Sequence, residues 1–182
     1  MPLPKEQIHT IEDIYGLPDG QRAELIDGQI YDMAPPTRKH QQIAGALYRK
    51  IADYIDANNG SCEVDIAPFA VFLNEDDYNN YVEPDISVIC DPGKLTDKGC
   101  NGAPDWIIEI VSPSSRRMDY YRKLNLYSSS GVREYWIVDP VRQTIVVYDL
   151  AHDEGPSLYS FSNAVPVRIY PSFSIDFNTI RL

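Results

Sequence analysis

Long apolar runs are missing from this chain of 182 residues. No segment reaches the roughly 18 consecutive apolar residues that would span a membrane. The first residues, Met1 to Glu12, also lack the basic and apolar blocks of a secretory signal peptide. We therefore expect a cytoplasmic protein with no membrane segment. A length of 182 residues fits one compact domain, and no repeat, low-complexity tract or obvious linker divides the chain, so we predict a single domain over residues 1–182.

Cysteine is scarce, and positive charge is outnumbered. Three cysteines at wide spacings, Cys62, Cys90 and Cys100, fit neither a disulfide framework nor a zinc motif, so we predict reduced thiols. The 16 lysines and arginines face 27 acids and leave a formal charge of -11. This charge opposes nonspecific binding to nucleic acid. One segment nevertheless groups its basic residues, which are Arg116, Arg117, Arg122 and Lys123.

The hydrophobic pattern predicts an α/β (α+β) protein: a central mixed β-sheet flanked by helices, with an N-terminal β-hairpin. Helical patterns cover residues 6–16, with Thr10 as cap, residues 38–58, and a segment that starts at residues 112–115 and ends at Gly131. The Asp27-Gly28 dipeptide predicts a hairpin over residues 22–33. Extended patterns cover 62–73, bent around Pro68, then 82–90, 105–111, 134–138 and 144–150, with shorter pieces from 158 to 182. Polar loops are expected at 74–81 and 91–104.

Two acids stand in apolar strands, where acids are out of place. Asp85 lies within VEPDISVI and Glu109 within WIIEIV. An unpaired buried carboxylate is costly, so a metal ion or another cation is the expected partner. If the two strands are neighbours, both acids can hold one Mg²⁺ or Mn²⁺ ion through oxygen. Such an ion activates water and offsets charge on a phosphodiester, and Lys123 would steady the attacking water or the developing charge.

A joint pattern connects these residues with a known family. Its parts are Pro84-Asp85, IIEIVSPSS around Glu109, YYRKLNLYSSSGVREYW around Lys123, and Val138-Asp139-Pro140. Together they resemble the Uma2 family, also described as DUF820, from the ELIDG segment through the IVDP segment. That family is placed in the PD-(D/E)XK nuclease superfamily. The resemblance implies a restriction endonuclease-like core and a metal-dependent endonuclease, with nucleic acid, DNA rather than RNA, as its partner.

The resemblance also implies roles for single residues. Asp85 would be the metal-binding acid of the PD element, and Glu109 the acid of the (D/E)XK element, with the Ile110 carbonyl as a further ligand. Glu24 resembles the additional acid from the N-terminal part of the fold. The superfamily's lysine would fall at position 111, which is Val111 here, and the resemblance implies that Lys123 replaces it from the following helix. His40, at the start of a helix, fits the edge of the same site.

Structural roles compete with these assignments. Taken singly, Asp85 can be a strand-edge acid held by backbone amides, and Glu109 can be half of an ordinary ion pair. Lys123 follows Asp119 by four residues, the spacing of a helical salt bridge. Two sets of residues allow nucleic-acid contact but are more typical of packing or of a solvated face; they are Tyr120, Tyr121 and Tyr127, and Arg116, Arg117 and Arg122.

Two other functions therefore stay open. The acidic charge and Val111 suit a module that keeps the nuclease fold for binding or regulation without turnover. The 13 tyrosines suit a homodimeric interaction protein whose acids are structural. Base specificity leaves no mark in the sequence, because the residues that read bases lie on loops.

Overall fold

The protein is described here by a computed structural model that covers residues 8–74, 78–152 and 154–181. Its helices are α1 (Ile11–Tyr15), α2 (Arg38–Ala57) and α3 (Leu124–Ser130), and a π-helical turn, Met118–Lys123, runs directly into α3. Two 3₁₀ turns occupy Pro92–Lys94 and Phe177–Thr179. The strands are β1 (Ala23–Ile26), β2 (Gln29–Asp32), β3 (Glu63–Ile66), β4 (Val71–Phe72), β5 (Ile86–Ile89), β6 (Leu95–Thr96), β7 (Gly99–Asn101), β8 (Trp106–Ile110), β9 (Glu134–Asp139), β10 (Thr144–Asp149), β11 (Ser157–Ser160), β12 (Ala164–Pro166) and β13 (Ser174–Asp176).

A six-stranded mixed sheet forms the centre, in the order β11-β10-β9-β8-β5-β3. Strands β8 and β9 are parallel, and the other neighbours in this sheet are antiparallel. Smaller sheets pair β1 with β2, β12 with β13, and β7 with both β4 and β6. The mixed α and β architecture predicted from the sequence is confirmed.

The central sheet is covered on both faces, because its strands alternate apolar side chains between two cores. Helix α2 buries Ile43, Leu47, Ile51 and Ile55 on one face, together with apolar residues from the C-terminal strands. The other face packs against α3, the β1–β2 hairpin and the small sheet. The central sheet is therefore the middle one of three layers.

Some element boundaries agree with the predicted ones, but the loop predicted at 91–104 contains a 3₁₀ turn and the short strands β6 and β7. Helix α2 runs from Arg38 to Ala57, and the hairpin turns at Asp27 and Gly28, whose φ angles of 51° and 73° suit a type I′ turn. The helix predicted for 6–16 is shorter; residues 6 and 7 lie outside the described residues. The strand predicted for 82–90 is also shorter, since Val82 makes only an isolated bridge to Val71 and β5 begins at Ile86.

The prediction of three reduced thiols is wrong. Cys62 and Cys90 form a disulfide, and Cys100 is the free cysteine. The two bonded residues directly flank β3 and β5, whose register pairs Glu63 with Ile89 and so brings them face to face. Spacing along the chain cannot reveal such a pair, because the pairing depends on the strand register. In the described part of the chain, no helix has the length and apolar character needed to cross a membrane.

Candidate active site

Strands β5 and β8 bring the two predicted acids to one place. Their register pairs Ile86 with Ile108, so the next position along sets Asp85 opposite Glu109. Asp85 Oδ2 accepts a hydrogen bond from the Ile110 N–H at 2.7 Å and lies 3.0 Å from His40 Nε2. The Asp85 side chain is 18% exposed. Asp85 therefore forms the solvent-facing end of the site, and α2 supplies His40 to it.

Glu109 forms the buried end, together with a lysine from the helical segment. Its Oε1 accepts hydrogen bonds from Lys123 Nζ and from the Tyr127 hydroxyl, each at 2.8 Å. Lys123 Nζ also donates to Glu24 Oε1 at 2.9 Å. Glu24 in turn accepts the Glu83 N–H at 2.9 Å. Lys123 thus bridges an acid of the hairpin and an acid of the central sheet.

Helical spacing does not give Lys123 its main partner. Lys123 Nζ lies 4.0 Å from Asp119 Oδ1, farther than from Glu24 or Glu109. Asp119 instead accepts a hydrogen bond from the Ser115 hydroxyl at 2.7 Å. The turn that carries Asp119 and Lys123 is π-helical, a rare geometry that is frequently found at functional sites. The contacts of Lys123 therefore favour a site over a simple helical salt bridge.

Burial and charge control proton binding at this site. Burial raises the pKa of Glu109 well above its usual value, although Lys123 opposes the shift. Burial also raises the pKa of Asp119, to about 6. For Lys123 burial acts in the opposite direction, yet Glu109, Glu24 and Asp119 together raise its pKa well above normal. Lys123 is therefore a charged ammonium in a pocket with an excess of carboxylates.

The pKa values of two further groups, Tyr127 and His40, are also raised. Burial raises the pKa of Tyr127, and the charge of Glu109 adds to the effect, so the hydroxyl remains a donor. Burial alone would lower the pKa of His40, but the hydrogen bond and charge of Asp85 outweigh it and the pKa is raised. The ring that faces Asp85 thus favours the protonated form.

The structure brings together the main predicted residues but not the predicted basic group. Lys123 is buried and therefore does not share an exposed basic face with Arg116, Arg117 and Arg122, whose contact with nucleic acid stays a prediction. Arg116 forms an ion pair with Asp139 at 2.8 Å. Arg117 is exposed, and the Arg122 guanidinium lies 5.4 Å from the centre of the Tyr31 ring. Tyr127 is buried, while Tyr121 is 68% exposed.

Sequence reasoning missed parts of the site. Asp119 was considered only as a helical partner of Lys123, although a third acid at this spacing signals a cluster. Tyr127 was assigned to packing, yet a buried tyrosine hydroxyl needs a hydrogen-bond partner, which was the available signal. The Glu24 to Glu83 contact left no local pattern, since these residues are far apart in the chain.

The chemistry of the donors suits a hard divalent cation. Asp85 and Glu109 offer carboxylate oxygens and Ile110 a backbone carbonyl, which are the ligand types that Mg²⁺ and Mn²⁺ prefer. Among the described residues, no group of three or more His, Cys, Asp or Glu side chains is arranged to hold a metal. Mg²⁺ commonly uses only one or two protein carboxylates and completes its shell with water and substrate phosphate, so the donor set is compatible with it.

The central mixed sheet carries Asp85 and Glu109 at the ends of two adjacent strands. A crystal structure described as "a putative nuclease belonging to DUF820" from Anabaena variabilis shares this fold, with a TM-score of 0.76 and 21% identity, over 94% of this chain and 96% of that one. The Uma2 family model, described as "Putative restriction endonuclease", matches residues 6–178. The chain belongs to the Uma2 family. An uncharacterized protein of Synechocystis sp. is 29% identical over 162 residues, covering 86% of this chain and 82% of the relative.

Proposed function

We propose that this protein is a Mg²⁺- or Mn²⁺-dependent endonuclease that hydrolyses phosphodiester bonds of nucleic acid, with DNA preferred over RNA. The observation that carries the proposal is the buried ammonium of Lys123, which contacts Glu109 at 2.8 Å while Glu109 lies across the strand register from Asp85. Membership of a family described as "Putative restriction endonuclease" supports the same reaction class.

Each residue has a distinct role in this proposal. Asp85, Glu109 and the Ile110 carbonyl would hold the ion. When bound, the ion activates water and offsets charge on the phosphodiester. A lysine ammonium has three N–H donors, and Glu24 and Glu109 take two of them. We assign the third to the attacking water or to the developing negative charge.

His40 and Glu24 are positioning residues. The His40 ring lies 3.0 Å from Asp85 Oδ2 and fixes the orientation of that carboxylate. Glu24 and Glu109 hold the Lys123 ammonium at 2.9 and 2.8 Å, so the ammonium is shared between two acids. Tyr127 donates to Glu109 and limits the rotation of its carboxylate.

A cleavage assay tests the proposal. Purified wild type should cleave plasmid or single-stranded DNA with Mg²⁺ or Mn²⁺, and RNA more slowly. Asp85→Asn and Glu109→Gln should abolish cleavage, and Lys123→Ala should slow it by roughly 10² to 10³-fold, the usual cost of losing one charge-stabilising donor. Glu134→Gln is the matched control, because Glu134 is also a buried acid of the central sheet but hydrogen-bonds to Trp136 and to the Arg168 and Ile169 amides.

The control should retain activity if its circular dichroism matches that of wild type. Inactivity of the wild type on every nucleic acid, or equal cleavage by all variants, would contradict the proposal. Calorimetry with Mn²⁺ distinguishes the endonuclease from the second candidate function, an inactive module that keeps the nuclease fold for binding or regulation. A protein that binds no Mn²⁺ would support the inactive module. Two observations favour that alternative, the net charge of -11 and the burial of Val111 where the superfamily has its lysine.

The single domain, the cytoplasmic location and the homodimer stay predictions. Tyr15, Tyr78 and Tyr121 expose 57%, 65% and 68% of their surface, which is the tyrosine area that a homodimer would cover. Analytical sedimentation of the wild type and of the three alanine variants measures the oligomeric state directly.

A further inference from the structure

Basic side chains gather around the turn that follows β9. Lys39 Nζ donates a hydrogen bond to the Pro140 carbonyl at 3.3 Å, and Arg116 Nη2 lies 2.8 Å from Asp139 Oδ2. Arg142 belongs to the turn itself, and its N–H donates to Asp139 Oδ1 at 3.0 Å. We call this set, with Arg38 beside Lys39, the basic turn surface.

The acid at the centre of this surface does not face solvent. Asp139 has no exposed side-chain area, and its Oδ1 accepts the N–H groups of Val141 and Arg142. The Asp139 carboxylate therefore interacts with the amides of the turn and with Arg116 rather than with solvent. Arg38, Lys39 and Arg142 are exposed, and the Arg116 side chain is 31% exposed. The solvent-facing part of the surface is positive although the whole chain is strongly negative.

One guanidinium nitrogen of Arg116 has unused capacity. Within the described residues, Arg116 Nη1 is buried and makes no hydrogen bond. A buried donor without a partner costs free energy, and its presence calls for an explanation such as a ligand. Guanidinium groups match the geometry of phosphate oxygens. Asp139 Oδ2 holds this one by an ion pair at 2.8 Å, without a hydrogen bond.

The basic turn surface adjoins the candidate active site. Lys39 is followed directly by His40, whose ring contacts Asp85. Strands β8 and β9 are parallel neighbours with Ile110 opposite Val138, so they end at the same edge of the sheet. The acids lie at the end of β8, and the basic turn lies at the end of β9. A strand with one phosphodiester at the acids can place a neighbouring phosphate at the turn.

We propose that Arg38, Lys39, Arg116 and Arg142 bind the phosphate backbone of a nucleic-acid strand beside the bond to be cleaved. The proposal rests on the proposed function for the identity of the polyanion but not for turnover. It also explains how a chain with a charge of -11 holds a polyanion. Lys39 and Arg116 contact the turn at the edge of the site, Arg142 is part of that turn, and Arg38 precedes Lys39. Phosphate contacts of this kind set position and orientation rather than base preference.

Fluorescence anisotropy of a labelled DNA oligonucleotide, single-stranded and duplex, tests the surface. Binding is measured on the full chain with a chelator, so that no cleavage occurs, at several salt concentrations from about 50 to 200 mM. The variants are Lys39→Ala, Arg142→Ala and the double variant, because these side chains can be removed without exposing Asp139. Arg49→Ala is the matched control: it is exposed on the same helix, ten residues from Lys39 and thus about 15 Å away.

Each single variant should reduce the slope of log affinity against log salt by about 1 and weaken binding roughly fivefold to tenfold near 0.1 M salt, whereas Arg49→Ala should bind like wild type. Three results would contradict the proposed binding surface. Both single variants could keep the wild-type slope of log affinity against log salt, Arg49→Ala could lose as much DNA affinity as they do, or the wild type could fail to bind DNA. If the expected slopes occur without any cleavage in Mg²⁺ or Mn²⁺, the surface stands and the proposed function fails. If the wild type cleaves DNA but the variants bind it with normal affinity, the proposed function stands and the proposed binding surface fails.

Discussion

Lys123 shows how one residue can remain charged inside a protein. Taking an ammonium out of water costs several kcal/mol unless opposite charges and hydrogen bonds replace the lost hydration. Glu24 and Glu109 supply both, at 2.9 and 2.8 Å, and Asp119 adds a third negative charge at 4.0 Å. Three carboxylates around one ammonium leave an excess of negative charge. That excess contributes to the raised pKa values of Glu109 and Asp119, and a divalent cation would offset it.

Because of Asp119, the stability of the folded protein should depend measurably on pH. Burial raises its pKa from 3.8 to about 6, so the folded protein binds this proton more tightly than the unfolded chain. At pH values between these two pKa values, folding is therefore accompanied by the uptake of a proton by Asp119. The stabilisation is complete below about pH 4 and is lost as the pH rises through about 6, with an upper limit on the order of 3 kcal/mol.

We therefore expect Asp119→Asn to remove part of the pH dependence of the free energy of unfolding. Urea denaturation of the metal-free protein at several values between about pH 4 and 7 measures it. The wild type should lose stability relative to Asp119→Asn as the pH rises. Asp53→Asn, at an exposed position of α2, should follow the wild-type curve. Parallel curves for wild type and Asp119→Asn would contradict the expectation.

At the scale of elements, the helical segment after Ser115 carries three polar side chains of the candidate site at regular spacing. Asp119, Lys123 and Tyr127 recur at four-residue steps, and all three are buried. Gly131, with a φ of 93°, ends α3 in the left-handed conformation that glycine favours. The segment therefore brings an acid, an ammonium and a hydroxyl toward the same strand acid, Glu109.

Helix α2 contributes to the site through its first turn. The Thr37 hydroxyl accepts a hydrogen bond from the His40 N–H at 3.2 Å, and the His40 ring contacts Asp85. Losing an N-cap hydroxyl costs about 1 kcal/mol, so Thr37→Ala should lower the free energy of unfolding by that amount and Thr37→Ser should retain most of it. Urea denaturation measures both variants. Equal stability of the alanine and serine variants would show that the hydroxyl does not cap the helix.

Local patterns predicted what depends on local physics. The apolar stripe of α2 and the Asp-Gly turn gave boundaries within about a residue, because helix period and turn conformation are short-range properties. Asp85 and Glu109 stood out because apolar strands leave no ordinary place for an acid. The contact between Glu24 and Lys123 was suggested by neither residue's neighbours, since it depends on how the hairpin packs against the helical segment.

At the scale of the whole molecule, a covalent bond ties the edge of the central sheet to its interior. Strand β3 is the last strand of the sheet, and the Cys62–Cys90 disulfide joins it to β5. Strand β5 begins next to Asp85, so the bond links the outer edge to a strand that carries the site. Cys100 remains buried, and burial raises the pKa of its thiol to about 11, which makes it a poor nucleophile.

Breaking this bond should weaken the whole fold, because the reduced chain has more conformational freedom when unfolded. The bonded residues are 28 apart in the sequence, and a loop of that size corresponds to about 3 to 4 kcal/mol in the chain-entropy model. Dithiothreitol should lower the urea midpoint of wild type and of Cys100→Ser by similar amounts. The double variant Cys62→Ser with Cys90→Ser should match reduced wild type and ignore the reductant.

Thiol titration decides whether the bond forms in solution. Of the three cysteines, two are bonded, so unfolded but unreduced protein should expose one thiol and reduced protein three. Three thiols before reduction would instead support the reduced state predicted from spacing alone. The β3–β5 pairing would then have to hold by hydrogen bonds and apolar contacts, and dithiothreitol would leave the wild-type midpoint unchanged.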